Sequence, residues 1–213
     1  MPTIFGLSLN SCKETQMKST VAGKCAIKFF FLAVLLTSAA SVAQAEAQHV
    51  RWDITQNVND VVPGGSASAS AADGSTITMT GTGTFVAPAG GTGTSSAVTG
   101  GGTWQIFPSG SNTPSGSGTY QVERLVRFDE EPTGTLVGFV PPVIDFIDDL
   151  EDAHGGLAIM VIRYSDGQHG ILVFSCMLPG SPTSVLEGIT ATKGFVDFFN
   201  SVQAPVTILH IAD

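Results

Sequence analysis

One motif recurs three times and governs what this chain can become: Gly-x-Gly-Thr-aromatic-x-apolar. It reads Gly81-Thr82-Gly83-Thr84-Phe85-Val86-Ala87. It returns as Gly100-Gly101-Gly102-Thr103-Trp104-Gln105-Ile106, and again as Gly116-Ser117-Gly118-Thr119-Tyr120-Gln121-Val122. The second glycines lie 19 and then 16 residues apart. One short strand and one turn use about that much chain, so the copies predict successive strands of an antiparallel meander. The spacing is too irregular, and the copies too few, for a solenoid.

Strand alternation sorts the faces. In the first copy Ile77, Met79, Gly81, Gly83 and Phe85 share one face, and Thr76 to Thr84 supply a threonine row on the other. Threonine tolerates a wet sheet face, so the threonines are expected outside. Val98, Gly100, Gly102, Trp104 and Ile106 then face inward. So do Gly118, Tyr120, Val122, Val126 and Phe128, with Arg124 among them. Glycine pairs inside a strand suit a sharply bent sheet or a close approach, and both arise in a closing barrel. Their missing side chains are expected to leave room beside Phe85, Trp104 and Tyr120.

Further strands follow. His49 to Val58 alternates Val50, Trp52 and Ile54 with polar residues. Leu157–Tyr164 and His169–Leu178 flank Ser165-Asp166-Gly167-Gln168, and central Asp-Gly predicts a two-residue type I′ hairpin. That register pairs Tyr164 with His169. It puts Leu157, Ile159, Val161, Leu172, Phe174 and Cys176 on one face. Ala158, Met160, Ile162, Ile171 and Val173 fall on the other. Apolar residues on both faces call for a cover. Gly194–Asn200 is the expected cover, and a second subunit docking on the 157–178 hairpin is the alternative. A final strand is expected over Val206–Ile211. The fold class expected is all-β: an antiparallel meander closing into a barrel of about seven or eight strands. A short acidic helix or loop at 143–152 and a C-terminal covering segment complete it.

Composition bounds the rest. Residues 64–118 hold 14 Gly, 20 Ser and Thr, and a single charge, Asp73. Only the repeated pattern separates that block from a flexible linker. Residues 17–47 carry Lys18, Lys24 and Lys28, an apolar run Phe29–Leu36, and Ala43-Gln44-Ala45. This is the three-part grammar of a secretory signal. The expected organisation is an N-terminal extension and cleaved signal over 1–45, with Met17 an alternative start, and one barrel domain over 46–213. The location is then secreted or periplasmic, with no stable membrane span after cleavage.

Four of the nine Lys and Arg lie in 1–45 with one of the eighteen acids, so residues 46–213 carry a net charge of −12. That excludes a phosphate-binding basic face, and no nucleic-acid partner is expected. Cys176 is the one cysteine of this part, so no disulfide forms within it.

The chain resembles secreted bacterial proteins that carry a Gly-Ser-Gly-Thr-Tyr-x-Val strand and a later Arg-Tyr-Ser-Asp-Gly hairpin, here Gly116–Val122 and Arg163–Gly167. Its strand count and Gly-x-Gly-Thr-Phe chemistry are also similar to barrels of the allene oxide cyclase and dirigent type. The resemblance implies a barrel with an apolar lumen, often oligomeric; it does not imply an activity.

Candidate chemistry is sparse. Asp145 to Asp152 holds five carboxylates, but EF-hand spacing and its glycine are absent, so a solvated amphipathic turn outweighs a calcium site. His49, His154, His169 and His210 show no metal-ligand spacing. No cofactor or metal motif occurs. Cys176 sits among apolar neighbours, as buried cysteines do. No Gly-x-Ser-x-Gly elbow is present. Arg124 falls on the inner face by alternation, where it would hold a ligand carboxylate; a bulge would turn it outward. The leading expectation is a small apolar ligand in the barrel lumen, bound by Phe85, Trp104, Tyr120 and Arg124. An isomerase or cyclase working there would draw on Arg124, Tyr120, His169 and Glu123. An oligomeric structural or interaction protein is the third reading.

Overall fold

The computed structural model describes residues 46–56, 60–90, 93–138, 140–202 and 207–212. The expected signal segment lies outside them. Twelve strands form one antiparallel sheet, and they group into eight passes of chain. β1 (Gln48–Ile54) and β2 (Ala67–Ser70) make the first. An excursion over 55–66 interrupts this pass, and it rejoins where the Gly65 N–H donates to the Ile54 carbonyl at 2.9 Å. β3 (Thr76–Met79) and β4 (Thr82–Ala87) form the second, bent at Thr80-Gly81. β5 (Gly101–Phe107), β6 (Gly116–Glu131), β7 (Ala153–Tyr164), β8 (His169–Cys176) and β9 (Gly188–Lys193) follow. β10 (Val196–Phe198), β11 (Asn200–Val202) and β12 (Thr207–Ala212) run as the last pass.

The last pass returns to the first. β10 pairs with β9, β11 with β2, and β12 with β1, while β12 also meets β7 through Leu209–His154 and His210–Ala153. The protein is therefore all-β, with a meander drawn round into a barrel-like ring. The acidic stretch is an extended loop ending in a 3-10 turn at Leu150–Asp152. Among the described residues no helix is long and apolar enough to cross a membrane.

The threonine row faces outward as expected. Its hydroxyls bond across strands, Thr80 to Thr103 and Thr84 to Thr99, both at 2.8 Å. Inside, burial of large apolar side chains holds the ring together, each worth about 1.5–3 kcal/mol. Trp52 meets Phe174 edge-on at 5.5 Å, Phe85 meets Phe128 at 5.2 Å, and Trp104 meets Tyr164 at 5.6 Å. Trp52 is on the first pass and Phe174 on the sixth, so one contact crosses the interior.

Lys193 seals the end near the 165–168 turn. Its Nζ lies 4.3 Å from the Trp104 ring centroid and 4.4 Å from that of Tyr164. It also pairs with the Asp166 carboxylate and donates to Gln168 at 3.2 Å. That ammonium holds the Asp166 carboxyl below its ordinary pKa.

Four expectations are corrected. First, the glycines leave no room. A Cβ on Gly81 would lie 2.2 Å from the Tyr120 hydroxyl, and one on Gly102 1.9 Å from the Thr80 carbonyl oxygen. The space is taken by Trp52, Tyr120 and the neighbouring backbone. Second, the hairpin loop has three residues. The Tyr164 N–H donates to Gln168 at 2.8 Å, and Gly167 takes the left-handed conformation at φ 86°. This is a type I turn closed by a left-handed residue. Arg163 therefore faces His169, and the one-residue slip moves Ala158, Met160 and Ile162 onto the inner face beside Leu172 and Phe174. Third, Gly194–Asn200 does not cover that hairpin. It enters the wall as β10 and part of β11, with Phe198 buried. Fourth, Arg124 is exposed rather than in the lumen. β6 has register shifts between Val122 and Arg124 and between Leu125 and Arg127. Each bulge adds a residue, so Leu125 replaces Arg124 inside and Phe128 returns to phase.

Candidate functional site

An open apolar concavity lies outside the barrel interior, among loops. Three connections meet there: the 55–66 excursion, the segment after β6 and the segment after β8. Backbone bonds tie the first two together. The Val61 N–H donates to Ile144 and the Phe146 N–H donates to Val61, both at 2.9 Å. The Ile144 N–H donates to the Asp60 carboxylate at 3.1 Å.

Two carboxylates fasten the other walls. Glu131 accepts from the backbone of Thr133 and Gly134, each at 2.9 Å, from the Ser181 hydroxyl at 2.7 Å and from the Thr133 hydroxyl. Those donors stabilise its charged form and hold its carboxyl at about 2. Glu187 accepts from the Met177 N–H at 2.6 Å and from the Thr207 N–H at 2.9 Å. A third clasp sits at the acidic loop. His210 Nε2 and Asp145 Oδ2 are 2.8 Å apart, and both side chains are 2% exposed.

The resulting cleft holds about 590 Å³ and is walled by Val61, Leu136, Val140, Pro141, Leu178 and Ile208, with Met177 at its side. That volume suits a small organic molecule. Val140 is 90% exposed although apolar. A second groove, of about 510 Å³, runs over the outer face of β7–β9 past Leu157, Val173, Leu186 and Phe199.

The residues expected to bind a lumen ligand lie elsewhere. Phe85, Trp104 and Tyr120 are buried in the packed interior, and Arg124 is on the outside. None lines the cleft. The Tyr120 hydroxyl donates to the Thr80 carbonyl at 2.9 Å, and burial pushes its pKa upward. His169 and Glu123 meet on the outer face at 3.2 Å, away from Tyr120, so the four residues of the isomerase reading do not converge. Cys176 is fully buried and burial raises its thiol pKa. Asp145 spends its carboxylate on His210 and on the N–H groups of Ile147 and Asp148. Among the described residues no group of three or more His, Cys, Asp or Glu side chains could hold a metal ion.

Sequence reasoning missed the cleft. The one local signal was Val137 to Val143, an apolar run with two prolines outside any strand pattern. No family model, curated protein or solved structure matches this chain.

Proposed function

We propose that the protein is an exported binding protein for a small apolar molecule, held in the loop cleft and not in the barrel interior. The observation that carries this reading is an open apolar concavity of about 590 Å³ beside an interior already filled by aromatic rings. An open concavity gains favourable burial when an apolar molecule enters, whereas a packed core must first lose contacts.

Titration with the neutral fluorophore N-phenyl-1-naphthylamine tests it. Emission should rise saturably with the native protein. Met177 borders the cleft and is 42% exposed, so Met177→Trp fills the site with little effect on folding. That variant should weaken binding about tenfold, roughly 1.4 kcal/mol. Absence of any saturable signal would sink the reading. Binding that survives Met177→Trp would move the site.

Self-association is a second reading. The outer row Leu157, Ile159, Val161, Ile171 and Val173 is half-buried and continues toward exposed Leu186 and Phe199. Light scattering across protein concentrations tests it, and a constant monomer mass refutes it.

A further inference from the structure

Resting on the binding reading above, we infer that the cleft selects apolar molecules with a cationic head, such as protonated alkylamines, over alcohols and carboxylates. Positive charge is missing from the described lining of the cleft. Asp60 and Glu187 are the charged side chains lining the cleft, and both are acids. Neighbours in sequence that fall outside the described residues (57–59, 139 and 203–206) carry no charged side chain.

The scarcity of cations is a property of the whole domain. Residues 46–213 contain five Lys and Arg, and each stands elsewhere. Arg51 pairs with Asp53 at 2.7 Å, and Lys193 is enclosed with Asp166 at the barrel end. Arg127 and Arg163 pair with Asp129 and Glu123 on the outer face. Arg124 lies exposed on β6. A ligand carboxylate entering this cleft would lose water without gaining a cation, which is unfavourable.

The two acids differ in what they offer. Glu187 already accepts from Met177 and Thr207. Asp60 is half-buried at the rim, and the Ile144 N–H engages its Oδ1. Its Oδ2 is the oxygen that an ammonium head would reach while the tail lies along Val61, Leu136 and Ile208. The low dielectric of an apolar wall strengthens such an attraction relative to water.

The experiment compares decylamine, decanol and decanoate at pH 7 as competitors of N-phenyl-1-naphthylamine, using the whole protein. Decylamine should displace the probe about fivefold more tightly than decanol, with decanoate weakest. Added salt should shrink the advantage of the amine. Asp60→Asn keeps an acceptor for the Ile144 N–H and removes the charge, so amine and alcohol should then bind equally. Decanoate binding as tightly as the amine overturns the inference and leaves apolar binding standing. An amine preference that persists in Asp60→Asn overturns the role of Asp60. Failure of all three compounds, and of the probe, overturns the binding reading itself.

Discussion

The barrel interior and the loop cleft are both apolar, yet one is full and the other open. Inside, side chains from different passes interlock, Trp52 against Phe174 and Phe85 against Phe128. Backbones press together where glycine removes the Cβ, as at Gly102 against Thr80. In the cleft, the walls are loops tied by polar clasps at Glu131, Glu187 and Asp60. The contrast teaches that strand glycines here allow close approach and do not create volume. The open volume lies where carboxylates tie the loops in place.

The interior is therefore expected to tolerate change worst. Gly102→Ala places a Cβ 1.9 Å from a backbone oxygen that no rotamer change can move. It should destabilise the protein by about 3 kcal/mol or more in urea unfolding, through overpacking and backbone displacement. A near-native midpoint would break the account of the glycine pattern. A smaller effect is expected at the barrel end. Lys193→Met keeps most of the volume and loses the ring contacts with Trp104 and Tyr164, at a cost of about 1–2 kcal/mol. The Asp166 pairing adds little, because that carboxylate is 41% exposed.

The smallest effect belongs to the clasp, and pH reveals it. Glu131 has a folded pKa of about 2 against an ordinary 4.5. A carboxyl depressed on folding adds stability above its unfolded value and loses it as pH falls. The urea midpoint of the native protein should therefore drop between about pH 4.5 and 2 more than that of Glu131→Gln. Fluorophore binding in the cleft should weaken over the same window, since Ser181 belongs to both the clasp and the wall. Parallel curves for the two proteins would detach Glu131 from the cleft.

The all-β class and the outward threonines were legible because period two is written along each strand. What failed was register, which depends on single residues. Two bulges in β6 displaced Arg124 and then restored Phe128 to phase, so the end of the strand matched expectation while its middle did not. One extra loop residue at Ser165–Gly167 exchanged the faces of β7 relative to β8. The cleft was hidden for another reason. Its walls come from described residues of four segments, around Val61, Val140, Leu178 and Ile208, which share no periodicity and meet only after the ring forms.

The placement of the five cations carries a last consequence. Arg51, Arg124, Arg127, Arg163 and Lys193 all lie within strands, on β1, β6, β7 and β9. No loop among residues 46–213 contains Lys or Arg. Exposed loop tips are where proteases usually nick a folded chain. Lys193 alone borders such a tip, the Gly194–Phe195 turn, and its side chain is enclosed, so a protease that cuts after Lys or Arg must wait for a strand to leave its ladder. The scarcity and strand placement of positive charge thus leave one broad class of protease few open cut sites in the folded domain.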